Sequence, residues 1–586
     1  MKCFYRGIKL INSLSKCYVP ISVTSMIIQG IYTPISLYFL QQILNAVQDK
    51  KDIVWNYLAI YFVLAIVNIL FERVYNLYSI KITKKFEKRI DILILEKTNS
   101  LNLSDYENLE TYNIINRAQS QGGESIISYI KGWFDILKSF ITVISSFMML
   151  SFFKTWILII ILITPILEYY FSMIIINEQY NISISRTEKE RKKWYLKYIM
   201  SMGNAFKEMK IYNLGEKFLD EFNKISEFII NQDFKIQNKN FKYMLGTDFL
   251  DQFNSLIIYC YIIKLGIAGT LKIGDITAYI RCIENIKDSI SLFFFSLNTN
   301  SKLSLNINLI YEFLDLHNDK LEILNNERNI TIEEIRNIKL VDVSYKYKEN
   351  HTFSIENINL EIQKGDIIGI VGRNGSGKST LMKIILGFYT DYEGEIYING
   401  INFKNIDRES YFKNISAVFQ DFMRYETSIR ENISYGNLKK INNTKEIELI
   451  LKKVGLVNLL QRGDGVDTII GNWFGEGEIS GGEWQKLSIA RALIKDSDLV
   501  ALDEPDSSLD VCSENEMLNI YKKLFEEKIG LIITHKISSI ENLTNKIIVL
   551  KNGKIVEVGN KENLMNINGE YKNLINAELN IRGEII

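Results

Sequence analysis

The N-terminal half of the chain alternates long apolar runs with polar, basic stretches, a pattern that predicts membrane-crossing helices. No charged residue lies between Lys16 and Asp49, and a helix of about 20 apolar residues is enough to cross a bilayer. A second apolar run, residues 53–80, follows the polar turn 48–52 and ends in Lys81, Lys84, Lys85, Lys88 and Arg89. Such basic clusters mark cytoplasmic ends. Runs at 139–153 and 155–176, on either side of Lys154, predict a third and a fourth span, again followed by basic residues at Arg186, Lys189, Arg191, Lys192 and Lys193. Residues 245–265, with Asp248, Asp251 and Lys264, and 276–297, with Arg281, Glu284, Lys287 and Asp288, are less purely apolar. They are assigned as spans five and six, because an even count returns the chain to the cytoplasm. At about 3.6 residues per turn Arg281, Glu284 and Asp288 share one face of the sixth. Charges in a span usually face a water-filled cavity or a partner rather than lipid. The intervening polar stretches, about 81–125 and 178–243, are long enough to continue as helices below the membrane.

From Lys339 the pattern changes to short β-branched runs alternating with helical ones, which suits an α/β domain. The expected organisation is an all-α six-helix transmembrane domain over 1–317, a polar linker over 318–337, and an α/β P-loop ATPase domain over 338–586. Within the last, a β-branched run at 367–371 leads into VGRNGSGKST, residues 371–380, and then into an apolar helical stretch. Gly372, Gly375 and Gly377 allow a tight turn whose N–H groups converge on an anion at the start of a helix. In that setting Lys378 reaches the β- and γ-phosphates of ATP, Ser379 takes a place on Mg²⁺, and Asn374, Ser376 and Thr380 complete the phosphate cradle. A second signal is LVALDE, residues 499–504: a strand ending in two carboxylates. Asp503 suits the Mg²⁺ shell, and Glu504 suits the orientation of an attacking water.

Composition narrows the partners. The chain has 586 residues, too many for one domain, and a formal net charge of zero, which gives no electrostatic case for nucleic acid. Its five cysteines form no CxxC pair or cluster, so a disulfide framework or zinc site is not expected. The three histidines are His317, His351 and His535, which excludes a histidine-dependent catalytic centre from the first 316 residues.

A third signal, ISGGE at 479–483, precedes a helical stretch. Phosphate loop, ISGGE and LVALDE in this order resemble the nucleotide-binding domain of ATP-binding cassette (ABC) proteins, whose signature reads LSGGQ; Ile479 and Glu483 are the departures. The resemblance implies that Ser480, Gly481 and Gly482 face the γ-phosphate of ATP bound to a second copy of the chain. It further implies that Tyr347 stacks on adenine and that Gln420 contacts Mg²⁺ and the attacking water. Asp510 lies in the loop at the dimer interface, and His535 holds the γ-phosphate. One membrane half and one cassette per chain resemble an exporter half-transporter that works as a homodimer. In such exporters, segments like 104–118 and 207–218 grip the cassettes. The implied location is the plasma membrane, with N-terminus and ATPase in the cytoplasm.

The runs VFQDFMRYETSIRENISYG and GNWF are similar to those of exporters of modified peptides such as lantibiotics, which implies peptide cargo. Lipid or drug export, and an ATP-gated channel or regulator, are the competing readings. A leader-trimming cysteine protease is not expected, since no histidine precedes His317.

Overall fold

The computed structural model describes residues 2–149, 155–316, 330–347, 352–472, 474, 477–505, 511–537 and 541–582. The chain divides into two compact units: Met1–Ser100 with Tyr112–Leu316, and Leu101–Thr111 with His317–Ile586. The expected linker lies mostly outside the described residues.

The first unit is helical: α1 (Lys2–Leu14), α2 (Tyr18–Gln48), α3 (Val54–Asn99), then, after the short α4 (Leu103–Glu107), α5 (Leu109–Met149), α6 (Thr155–Ser185), α7 (Thr187–Ser201), α8 (Gly203–Ile211), α9 (Leu214–Ile267) and α10 (Ile273–Asp315). Among the described residues four stretches are long and apolar enough to cross a membrane: Tyr18–Gln48, Val54–Asn99, Gly123–Met149 and Ile159–Ser183. The helix that carries the third, α5, begins well before residue 139, where the apolar run starts. Its extra turns carry Lys138, whose ammonium donates to Gln29 Oε1 of α2 at 2.7 Å, so that charge is answered inside the unit. Trp55, Phe62, Leu70 and Leu77 of α3 are all exposed; such an apolar stripe is unfavourable in water and suited to lipid.

The helices pack antiparallel, and their polar contacts fix the register. Along α6 and α9, Thr164 meets Asp251 at 2.8 Å and Glu178 meets Lys239 at 2.5 Å. Beyond the end of α6, Arg186 meets Asp233 at 2.5 Å. Both ends of α10 are tied near the ends of α2. At one, Gln41 and Asn45 each donate to Asp275 at 2.7 Å, and Lys272 pairs with Asp49 at 2.5 Å. At the other, Arg6 of α1 forms a bidentate pair with Asp315 at 2.5 and 2.6 Å. Between them Leu37, Ile161, Ile258, Ile262, Ile283 and Ile286 form an apolar core.

The second unit holds two sheets. β1 (Asn337–Tyr345), β2 (Ile355–Gln363), β4 (Glu393–Ile398) and β5 (Ile401–Asn402) form an antiparallel sheet of order β2-β1-β4-β5. β3 (Ile367–Gly372), β6 (Ile415–Val418), β7 (Leu499–Asp503), β8 (Ile529–Ile533), β9 (Lys546–Lys551) and β10 (Lys554–Gly559) form a second of order β10-β9-β3-β8-β7-β6, parallel except for β10. Alternate residues of β7 enter different cores: Leu499 and Ala501 pack with Ile338 and Leu340 of the first sheet, while Val500 and Leu502 pack with Trp484 and Leu487 of the helix Gly481–Ile494. A sheet covered on both faces therefore reads as a continuous apolar run. Its register aligns Asp503 with Ile533 and Ile370 with Ile533, so β3, β7 and β8 end at one edge, the usual place for a ligand in such sheets.

Candidate functional site

The loop after β3 is shaped by glycine. Gly375 and Gly377 have φ of +76° and +101°, values that disfavour side chains, and a Cβ on Gly377 would lie 2.6 Å from the Ser354 carbonyl oxygen. The loop opens the helix Lys378–Ile385, so its N–H groups and the helix N-terminus face the same space. Lys378 Nζ donates to the carbonyls of Gly372 at 2.9 Å and Arg373 at 3.2 Å. An ammonium has three donors, which leaves one for an anion. Burial pushes the Lys378 pKa down, with Glu504 and Asp503 opposing. Ser376 is buried and its hydroxyl has no partner among the described residues. An orphaned donor in a glycine cradle fits a phosphate oxygen. Asn374 and Ser379 are exposed in the same loop.

At the adjacent strand end, Glu504 has φ +47°, a left-handed conformation uncommon for a non-glycine residue. Its N–H donates to Ile533 of β8 at 2.9 Å. Its side chain is held on both sides. Gln420, just past β6, donates through Nε2 to Oε2 at 2.7 Å, and His535, just past β8, meets Oε1 through Nε2 at 2.7 Å. A carboxylate has about four acceptor positions, so Glu504 keeps capacity for a water while fixed in place. Asp503 is half-buried, and its pKa is raised by burial and by Glu504; the Ser379 hydroxyl, Lys383 and Lys378 pull the other way. Two neighbouring carboxylates beside a serine hydroxyl are a donor set suited to Mg²⁺.

Ser480 caps the helix Gly481–Ile494 in a reciprocal box with Glu483. The Ser480 N–H donates to Glu483 Oε2 at 2.8 Å, its hydroxyl meets the same oxygen at 2.9 Å, and the Glu483 N–H donates back to Ser480 Oγ at 3.3 Å. The glutamate that departs from the LSGGQ pattern thus acts as the capping acid. Burial opposes ionisation of Glu483, but the Ser480 amide and hydroxyl, Asn458 and Arg462 together hold it below the usual carboxylate range. Ser480 and Gly481 are exposed, and Gly482 half-buried. None of Ser480's hydrogen bonds reaches the 371–380 loop among the described residues.

The structure therefore brings Lys378, Ser379, Asp503, Glu504, Gln420 and His535 to one sheet edge, leaves Ser480 to Gly482 apart on the surface, and places Tyr347 beside Thr380, hydroxyl to hydroxyl at 3.1 Å. Asp510 lies outside the described residues. Arg281, Glu284 and Asp288 are all exposed on one face of α10. Sequence reasoning missed Tyr389, which meets Tyr347 and Glu107 and sits in no local motif. It also left Lys287 and Asp251 unpaired, although both stand out as charges in apolar runs; they meet at 2.7 Å.

The ABC transporter pattern matches residues 355–507, and the ABC transporter transmembrane region pattern matches residues 19–285. The subtilin transport ATP-binding protein SpaT of Bacillus subtilis is 31% identical over 583 residues, covering 99% of this chain and 94% of that protein. The nisin transport ATP-binding protein NisT of Lactococcus lactis subsp. lactis is 32% identical, covering 97% and 95%. An ATP-dependent lipid A-core flippase of Francisella novicida is 33% identical over 245 residues, only 42% of this chain and 40% of that one. A solved bacterial Atm1-family ABC exporter with ATP bound shares the fold, with a TM-score of 0.78 at 17% identity, covering 97% of this chain and 99% of that one. A transporter membrane region followed by an ABC transporter ATPase region, matched along nearly the whole chain by transport ATP-binding proteins, places this multi-pass membrane protein in the ABC transporter family, as an exporter that couples ATP hydrolysis to transport.

Proposed function

We propose that two copies of this chain form a plasma-membrane exporter that moves a peptide out of the cytoplasm. Full-length likeness carries the cargo assignment. It runs through the membrane half for the proteins named for subtilin and nisin transport, but covers only about two-fifths of the chain for the lipid A-core flippase.

Each chain contributes six spans. α9 and α10 are too charged to qualify by composition, yet α9 lies antiparallel to the apolar α6, and α10 is tied through Asp275 to the end of α2 and through Asp315 to α1 just before it, so each follows a neighbour that crosses. One pair of opposite charges on these helices, Lys287 and Asp251, meets at 2.7 Å inside the unit instead of facing lipid. The basic segments after α3's apolar run and after α6 then lie in the cytoplasm with the phosphate loop.

At each ATP site the 372–380 loop binds the phosphates through its N–H groups, Lys378 and Ser376, and Tyr347 stacks on the base. Ser379, Gln420 and Asp503 would hold Mg²⁺, which when bound supplies positive charge to the β- and γ-phosphates. Glu504, fixed by Gln420 and His535, accepts a proton from the attacking water. Because a carboxylate only accepts, the His535 nitrogen facing it carries the proton. Ser480, Gly481 and Gly482, remote from their own loop, close over the γ-phosphate of the partner's site, where the helix dipole favours negative charge. The test is ATP hydrolysis by the purified protein in proteoliposomes, with panels of cationic peptides, lipids and hydrophobic drugs. Stimulation by peptides alone is expected; stimulation by lipids or drugs but not peptides would overturn the cargo assignment.

A further inference from the structure

β8 ends at Ile533, and the residues after it carry His535 to Glu504. The His535 side chain is 46% exposed, so packing alone does not hold the ring, and its place depends on the backbone to either side. On one side the sheet fixes the chain: Ile533 pairs with Ile370 of β3 and Asp503 of β7, and its carbonyl accepts the Glu504 N–H at 2.9 Å. On the other, the Lys536 N–H turns back to the Thr534 hydroxyl at 3.0 Å, and the Ile537 N–H donates to Glu578 Oε2 at 2.9 Å. Glu578 lies 41 residues further along the chain, in the helix Glu570–Arg582. That helix is itself anchored. Glu557 of β10 accepts the N–H groups of Glu570 at 2.5 Å and Tyr571 at 3.1 Å, so a carboxylate meets the positive end of the helix. Tyr571, Ile575 and Glu578, at i, i+4 and i+7, share one face. Tyr571 and Ile575 are buried in the same apolar core as Ile537 and Leu543, and the Tyr571 hydroxyl donates to Glu541 at 3.1 Å. One helix face thus grips the chain after His535 at two points, Ile537 and Glu541.

We infer that Glu578 is a positioning residue for ATP hydrolysis: by holding the Ile537 N–H it fixes the backbone that keeps His535 on Glu504. A backbone N–H bonded to a carboxylate is held about twice as strongly as one bonded to a neutral acceptor. Without that carboxylate Ile537 remains packed through its side chain, but its N–H is released to water. The peptides between Thr534 and Ile537 can then rotate, and the His535 ring moves with them. A shift of about 1 Å in a group that orients the chemistry can cost up to about a hundredfold in rate. Gln420 still donates to Glu504 at 2.7 Å, so the loss falls on the orientation of the proton acceptor and spares the phosphate cradle around Lys378.

This inference rests on the assignment of His535 to the hydrolytic site, and the experiment separates the two. ATP hydrolysis against ATP concentration, trinitrophenyl-ATP binding and the thermal midpoint are measured on the full-length protein in nanodiscs for Glu578→Ala, Glu578→Gln, His535→Ala and the double variant of His535→Ala with Glu578→Ala. Glu578→Leu, which keeps the bulk of the side chain without its acceptor, stands in should the alanine variant fail to fold. Glu578→Ala is expected to lower kcat about three- to thirtyfold with nucleotide binding within about twofold of the wild type. Glu578→Gln, whose amide oxygen accepts the same N–H, should keep about half the wild-type kcat or more. The double variant should be no slower than His535→Ala, because the position of an absent imidazole has no effect. If His535→Ala lowers kcat while Glu578→Ala lowers it less than about threefold, the positioning role is wrong and the histidine assignment survives. If His535→Ala leaves kcat unchanged, the assignment fails and the inference with it. Glu578→Gln as slow as Glu578→Ala would show that the hydrogen bond is not what matters. Multiplying effects in the double variant, or nucleotide binding lost in step with kcat, would reduce Glu578 to a structural role and overturn the inference.

Discussion

Lys287 and Asp251 offer a direct test of how the membrane half is held together. Their side chains are 10% and 27% exposed and meet at 2.7 Å. Lys287 also donates to Ser255 at 2.6 Å, and Thr164 of α6 donates to Asp251 at 2.8 Å, so three helices converge on one ion pair. Removing one partner of a buried pair leaves an uncompensated charge, at a cost of about 3–5 kcal/mol. Lys287→Met leaves Asp251 with Thr164 and partial exposure, which puts the loss near the lower end, about 3 kcal/mol. For a unit made of residues 1–100 and 112–316, about 300 residues, each kcal/mol lowers the thermal midpoint by about 1.5–2 °C, so a fall of about 5–6 °C is expected. Lys287→Met combined with Asp251→Asn removes both charges and keeps the Thr164 contact, and should recover most of that loss. The assay is tryptophan fluorescence against temperature in nanodiscs at one fixed scan rate. A double variant as unstable as the sum of the two single ones would refute a mutually compensating buried pair.

Glu504→Gln keeps the shape of the side chain and loses the proton acceptor, so ATP binding should persist while hydrolysis falls by about two to four orders of magnitude; rapid turnover by the purified variant would sink the assignment. Co-assembling Lys378→Ala chains with Ser480→Ala chains gives one site lacking both groups and one intact, so mixed dimers should regain hydrolysis that neither parent shows, and no recovery would contradict a shared site. Neutralising the exposed face of α10, as Arg281→Gln, Glu284→Gln and Asp288→Asn, should weaken cargo-stimulated but not basal hydrolysis, and an unchanged cargo response would remove these residues from the path. Glu483 is held below its ordinary pKa. Its stabilising contribution is therefore complete above about pH 4.3 and lost as pH falls through its lower folded value. The stability gap between wild type and Glu483→Gln should accordingly shrink on acidification; a gap independent of pH would show that the carboxylate charge is not what matters there.

The sequence by itself determined whatever depends on neighbours along the chain. Gly375 and Gly377 announce left-handed backbone, the β-branched run before them announces a strand, and the two together place a phosphate cradle ahead of Lys378. The charge-free Tyr18–Gln48 announces a helix for lipid. What depends on register between distant segments was decided only in three dimensions. His535 and Gln420 have no local reason to meet Glu504; the parallel alignment of β6, β7 and β8 ends all three strands at one edge and sets their following residues around one carboxylate. Asp251 and Lys287 look like flaws in two apolar runs until antiparallel packing joins them. Lys138 interrupts the apolar pattern near the start of the third span, and its partner Gln29 lies on another helix. Tyr389 is an ordinary aromatic residue in sequence and gains its partners only when residues 101–111 fold onto the cassette. Backbone conformation and preference for water or lipid are properties of a few consecutive residues, whereas the partner of a charge or hydroxyl is set by which surfaces pack and at what offset.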